Sequence, residues 1–356
     1  MLRGPGRIPA CSPDRTSPGR TGGLPDREAP FIAPDYNAPM RFRTLAPWLR
    51  ETFGRPVHRV ALDAGSTCPN RDGSKGRGGC TYCDVEGSGT GALRTGADLT
   101  AQLEEGLARI SRRRKPGQGE VGAIAYFQSY TNTYVEQSRL EEVLGVVEPY
   151  LGKEVVAISV ATRPDCLPDP ALSLLESLGK RVPVWVELGL ESASDDVLLA
   201  IQRLHTVCEF EDAVHRVRSA GLVAVGHAIL GLPGAGREGA RRTAEVLARS
   251  GVEGVKVHHL MILERTQLAA QWRRDEVEVL DAETYVHWLA DFVERLDPSQ
   301  VLHRMTGDSP PEKLLAPFWE VHKNEIRERL DAELARRGTR QGSFGPAIRA
   351  GGEDPA

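Results

Sequence analysis

From residue 58 onward the chain alternates short, nearly continuous apolar runs with longer stretches that are apolar on one side only. The runs are His58 to Asp63, Val121 to Phe127, Val155 to Ala161, Val184 to Leu190, Leu222 to Leu230 and Val252 to Met261, all rich in Val, Ile and Ala. Runs of this length with apolar residues on both sides predict strands buried on both faces. Between them, Leu99, Leu103, Leu107 and Ile110, and then Leu140, Val143, Leu144 and Val147, recur at three-to-four-residue spacing and predict amphipathic helices. Most strand-to-strand intervals are about 30 to 40 residues, the length of a βα unit, and such crossovers demand a parallel sheet wound right-handedly. Six units are predicted.

Six units are fewer than the eight that close a complete barrel. The expected fold is α/β, an open partial (βα)6 TIM-like barrel spanning 40–280. Beyond it, Tyr285, Trp288, Leu289, Phe292 and Leu296 predict one helix, Val301 to Met305 an apolar run, and Ile326, Leu330 and Leu334 a charged helix. This stretch, 281–338, is read as an α-rich C-terminal helical extension, and 339–356 as a flexible tail. Residues 1–39 are rich in Gly, Pro, Arg and Ser without apolar periodicity, a composition expected to stay disordered. Because patterned sequence begins at Met40, translation is expected to start there.

Composition narrows the partners. Of 356 residues 45 are basic and 49 acidic, a net charge of −4, which excludes a global electrostatic signature for nucleic acid. No apolar run approaches the roughly 20 residues that cross a bilayer, so a cytoplasmic protein without a membrane partner is expected. Six cysteines are too sparse for a disulfide scaffold, yet three of them fall within residues 68–83.

That cluster reads Cys68-Pro-Asn-Arg-Asp-Gly-Ser-Lys-Gly-Arg-Gly-Gly-Cys80-Thr-Tyr-Cys83 and directly follows the first predicted strand. Three thiolates satisfy three irons of a cubane cluster and leave the fourth open, whereas an electron-transfer cluster usually uses a fourth cysteine. Structural zinc is the other reading of the spacing, but zinc prefers four ligands and no histidine lies inside the loop, His58 being the nearest upstream. Gly73, Gly76, Gly78 and Gly79 let the loop wrap a bulky group, and Arg71, Lys75 and Arg77 offset thiolate charge.

The loop resembles the signature of the radical S-adenosylmethionine (SAM) superfamily, which usually reads C-x3-C-x2-C with an aromatic before the last cysteine, here Tyr82. The eleven-residue first gap departs from that form and is similar to the YhcC-type family. Segments from Tyr126 to Thr133, Thr162 to Cys166, Glu187 to Ser192 and Gly231 to Gly234 extend the resemblance from about Phe42 to Gly342. The resemblance implies a [4Fe-4S] cluster on Cys68, Cys80 and Cys83 as both metal ligands and catalytic residues. It implies reductive cleavage of SAM to a 5′-deoxyadenosyl radical that abstracts a substrate hydrogen, and a reductant such as flavodoxin or ferredoxin.

For SAM itself, the resemblance assigns Tyr82, Gln128 and Ser129, with Gly231 and Pro233 near the adenine. Glu191 and Arg203, twelve residues apart, resemble a pair in the coproporphyrinogen dehydrogenase branch that contacts SAM ribose and carboxylate. His227 stands where that branch carries an aspartate, and Ala161 where elongator-type subunits carry a glutamate. On the substrate side Arg163 and Asp165 are expected to point into the chamber, with His227 and one of His258 and His259, because strand alternation sends neighbours to opposite faces. Cys166 is read as a hydrogen donor or an apolar filler, and Cys208 as a filler. The absence of a second cysteine cluster argues against sulfur insertion. Arg304, Lys313, Lys323 and Arg327 form part of a basic edge that could meet phosphates, although interleaved glutamates favour an exposed, ion-paired helix. The Thr162-Arg163-Pro164-Asp165 segment is similar to elongator-type tRNA-modifying enzymes, so a tRNA wobble uridine is the expected substrate. A small metabolite, or a noncatalytic metal or Fe–S protein, are the alternatives.

Overall fold

A computed structural model describes residues 40–84, 98–114 and 119–345. The expected tail at 1–39 and residues 346–356 of the C-terminal one lie outside the described residues. All six predicted strands form: β1 (Val57–Asp63), β2 (Gly122–Gln128), β3 (Val155–Thr162), β4 (Val184–Glu191), β5 (Val223–Leu230) and β6 (Gly254–His259). They pair in sequence order, each parallel to the next. β7 (Ile262–Leu263) leaves the sheet and pairs antiparallel with β9 (Leu314–Ala316). β8 (Val301–Arg304) docks parallel beside β6, making seven strands in the curled half-barrel rather than six. The stretch expected as an α-rich extension therefore supplies an edge strand of the barrel.

Most of the crossover helices pack on the outer face of the sheet. α2 (Leu99–Arg112) starts at Asp98, whose carboxylate accepts from the Ala101 amide, and presents Leu103 and Ile110 to the core. Its approach is close: a Cβ on Gly106 would stand 2.2 Å from Val60. α3 (Gln137–Gly145), α4 (Asp169–Gly179), α5 (Asp195–Ala200) and α6 (Val207–Ser219) come next in the chain, the last opened by a reciprocal cap between Thr206 and Glu209. α7 (Gly236–Ser250) buries Ala244 and Leu247, α8 (Gln267–Trp272) buries Leu268, and α9 (Ala282–Val293) buries Tyr285, Leu289 and Phe292.

α10 (Lys323–Arg337) packs along α9 through Ile326, Leu330 and Leu334, and Arg337 at its end pairs with Asp291 at 2.7 Å and Glu294 at 3.1 Å. Residues 339–345, expected in the flexible tail, are tied down instead. The Gln341 side-chain amide donates to the Asp297 and Gln300 carbonyls, and the Phe344 amide donates to Glu294 O at 2.7 Å.

One end of the half-barrel is plugged. α1 (Leu45–Phe53) places Trp48 and Leu49 over the amino ends of the strands, where Val57, Ile124, Trp185 and Val225 form an apolar layer. The Trp48 and Trp185 rings meet at a tilt, with centroids 5.8 Å apart. The cavity that the cysteine loop lines lies toward the carboxyl ends of the strands.

Candidate functional site

β1 delivers the chain at Asp63 into the cysteine loop, which is shaped by individual backbone hydrogen bonds rather than by regular structure. The amides of Arg71 and Asp72 donate to Cys68 O, that of Gly79 donates to Asn70 O, and that of Cys83 donates to Cys80 O. The eleven-residue gap folds as a miniature hairpin, with Asp72 bridging Arg77 antiparallel. Three contacts pin it: Ser74 Oγ to Tyr134 Oη at 2.7 Å, Lys75 to Asp165, and Gly76 against Leu204, which a Cβ would approach to 2.9 Å. All three thiols face one cavity of about 440 Å³. Two of the sulfurs already have donors: Asn70 Nδ2 lies 3.4 Å from Cys80 Sγ and Arg71 Nη2 lies 3.3 Å from Cys83 Sγ.

Opposite the thiols, the carboxyl ends of β2 and β4 complete the rim. Gln128, Ser129 and Tyr130 line it, the last two held in left-handed backbone conformation with φ of 82° and 56°. Glu191, also left-handed at φ 67°, ends β4 and pairs with Arg203 at 3.6 Å. Gly189 makes room for that pair, since a Cβ there would stand 2.3 Å from Glu191 Oε1 and 2.4 Å from Arg203 Nη2. Tyr82 lines the same rim, packed against Leu198, Ile201 and their neighbours. Ser129 Oγ and Arg203 Nε are buried there without a hydrogen-bond partner.

Other candidates go elsewhere. Arg163 and Asp165 form a two-pronged pair at 2.9 Å for each bond, and Asp165 also holds Lys75. Burial opposes the charge on Asp165, but Arg163 and Lys75 outweigh it and hold the carboxyl well below the usual range. Neither residue lines the cavity; they clasp the hairpin from behind. Gly231 and Pro233 do not line it either, and Gly231 faces Leu280. Cys166 is buried away from the cavity, where burial and Asp165 push its thiol up to about 12. His58 is exposed on the outer side of β1, remote from any role as a fourth ligand.

Both His258 and His259 reach the cavity, which corrects the expectation of one. His258 obeys strand alternation, but β6 ends at His259, and its ring stacks on Trp319 at 4.1 Å while Nδ1 accepts from the Gly307 amide.

Below the rim, residues contributed by successive strands build a polar floor. Glu187 accepts from Ser159 Oγ at 2.7 Å, from His227 Nε2 at 2.9 Å, and from Lys256 Nζ. Lys256 also donates to Tyr126 Oη at 3.1 Å and sits 4.2 Å above that ring. Burial drives Lys256 down to about 7, Glu187 resisting and Arg59 and Arg304 assisting. Burial would raise Glu187, but Lys256 and His227 hold it well below the ordinary carboxylate range, so it stays ionised.

Residues 68–247 match the family described as the Radical SAM superfamily, and residues 252–336 match its Radical_SAM C-terminal domain. The chain belongs to the radical SAM superfamily. It is 38% identical over 315 residues to YtqA of Bacillus subtilis (strain 168), covering 87% of this chain and 95% of that relative. It is 32% identical over 298 residues to YhcC of Escherichia coli (strain K12), covering 83% and 93%. Among solved structures, the archaeal Methanocaldococcus infernus Elp3 with N-terminus deletion (1-46) shares the fold at a TM-score of 0.63 and 18% identity. That match covers 80% of this chain and 64% of Elp3, so the chain spans slightly less than two thirds of that protein.

Radical SAM enzymes use a [4Fe-4S] cluster and SAM, and this cavity fits both. Among the described residues no three His, Cys, Asp or Glu side chains converge as a single ion requires. The thiols instead line the wall of a space that takes a bulkier group, with Asn70 and Arg71 donating to sulfur as cluster ligands need. The unpartnered Ser129 hydroxyl and Arg203 Nε supply polar atoms for a second, polar ligand.

Sequence reasoning missed Arg59, Tyr126, Glu187 and Lys256 as site residues. The signal was present for three of them: Arg59, Glu187 and Lys256 each put a charge in the middle of a largely apolar strand, as Lys256 does in Gly-Val-Lys-Val.

Proposed function

We propose that Cys68, Cys80 and Cys83 hold the cluster, that Gln128, Ser129, Glu191 and Arg203 seat SAM, and that the polar floor receives the substrate. The observation that carries this reading is the convergence of three thiols, the Glu191–Arg203 pair and the floor on one cavity. When bound, the two groups supply an electron and a 5′-deoxyadenosyl radical that takes a hydrogen atom from the substrate. The chain's own work is placement. Arg203 pairs the SAM carboxylate, since a guanidinium matches it in two-pronged fashion, and Glu191 accepts from the ribose hydroxyls. Tyr82 and the apolar residues behind it exclude water from the reacting atoms. Asn70 and Arg71 hold thiolate charge by donating to sulfur. An external one-electron donor of the flavodoxin or ferredoxin type serves as reductant.

The test is anaerobic reconstitution with iron and sulfide, reduction with dithionite, and chromatography of the products of SAM. Formation of 5′-deoxyadenosine and methionine is the expected result. A fully loaded, reducible protein that leaves SAM intact contradicts the reading.

A tRNA wobble uridine is the substrate supported by the Thr162-Arg163-Pro164-Asp165 segment, which resembles elongator-type enzymes. Digested bulk tRNA from a deletion strain should then lack one modified nucleoside present in its parent. Identical nucleoside profiles would remove tRNA from consideration and leave the radical chemistry untouched.

A further inference from the structure

The floor of the cavity carries guanidinium groups that its own carboxylates leave partly or wholly unpaired. Arg59, Lys256 and Arg304 line it, against Glu187 and Asp308. Glu187 is fully engaged by Ser159, His227 and Lys256. Asp308 is 57% exposed and stands 3.7 Å from both Arg304 and Lys323, a loose contact shared between two cations. Arg59 has less still. Its Nη2 meets His303 Nδ1 at 3.3 Å, its guanidinium stands 5.7 Å from the Tyr126 ring centroid, and its Nε is buried with no partner. Among the described residues no carboxylate pairs with it.

The surrounding imidazoles register the same guanidinium groups. Burial first, and then Arg304, holds His258 well below its ordinary value; burial and then Arg59 do the same to His303. An inward guanidinium with an unpaired buried nitrogen is costly unless something from solution completes it. The two arginines stand on β1 and β8, the edge strands of the seven-stranded sheet.

We propose that Arg59 and Arg304, with Lys256 beside them, bind an oxyanion of the substrate, a carboxylate or a phosphate, at the floor of the cavity. This rests on the radical SAM reading and deepens it by naming the chemistry the substrate carries. It is a different anion from the SAM carboxylate, which belongs to Arg203 at the rim. Anchored at the floor, the substrate directs its reacting C–H toward the rim, where the radical arises.

The experiment is calorimetric titration of oxidised holoenzyme saturated with SAM, without reductant, using inorganic phosphate and acetate separately at constant ionic strength set with chloride. At least one anion binds, and Arg59→Gln and Arg304→Gln each weaken binding about tenfold. Arg249→Gln, on the exposed side of α7, leaves it unchanged. Binding of phosphate alone assigns a phosphate group to the substrate; binding of acetate alone assigns a carboxylate. Arg304 is 37% exposed, so its replacement opens no hole in the core, and Arg59→Lys should recover part of the affinity lost in Arg59→Gln. The proposal is overturned if neither anion binds the parent protein, or if both glutamine variants bind it as tightly as the parent does. SAM affinity in the same preparations separates that failure from failure of the SAM site itself.

Discussion

The rim and the floor of the cavity are built by opposite means. At the rim the three thiols come from one sixteen-residue segment, shaped by backbone hydrogen bonds and a pinned hairpin. At the floor Arg59, Tyr126, Glu187, His227, Lys256 and Arg304 come one from each of six strands and are held by charge and hydrogen bonds. A local segment writes its chemistry as a motif, and it can be lost by one substitution. A floor assembled across strands writes none, and its parts share the work.

The sharpest way to break that contrast is Cys83→Ala at the rim, which should abolish SAM cleavage and the brown colour of the reconstituted protein, read by absorbance and product chromatography. Any floor substitution should leave both in place. Next in size is Asp165→Asn, which strips the buried Arg163 of its carboxylate and frees the hairpin through Lys75. Removing one partner of a buried pair costs about 3–5 kcal/mol, measurable by urea unfolding. Because the folded carboxyl is held low, this stabilisation is present above the ordinary aspartate range and fades as pH falls below about 4. The gap between parent and variant should therefore narrow in acid.

Arg203→Gln removes the proposed partner of the SAM carboxylate while keeping the backbone, and should weaken SAM binding about 10- to 100-fold, corresponding to about 1.5–3 kcal/mol for a charged hydrogen bond. The floor has the gentler signature. Lys256 is brought down to about 7, so between pH 7 and the ordinary lysine range the unfolded chain holds a proton the folded one does not. Stability should rise with pH across that window by at most about 1.4 kcal/mol per pH unit, and Lys256→Met should flatten the slope.

Much of the fold was legible because strands buried on both faces leave nearly continuous apolar runs, and all six predicted ones form. β8 was missed as a barrel strand because four residues after a long helix carry too little pattern to say which edge they join. The thiols were legible as neighbours in sequence, and Glu191 with Arg203 through their spacing. Arg163 and Asp165 were expected in the chamber because they lie just past a strand end, but the short 3-10 turn of Pro164–Cys166 carries them behind the hairpin instead. The floor was legible only as single polar residues interrupting apolar runs: Arg59, Glu187 and Lys256 are distant in sequence, and it takes the parallel sheet to bring them into one cavity.

The central claim, that three thiolates hold a cluster with a corner open to SAM, is tested most directly by electron paramagnetic resonance of the reduced, reconstituted protein with and without SAM. The predicted result is about four irons per chain and a cluster signal that changes when SAM is added. A signal indifferent to SAM, or full iron loading in a protein lacking all three of Cys68, Cys80 and Cys83, would contradict it.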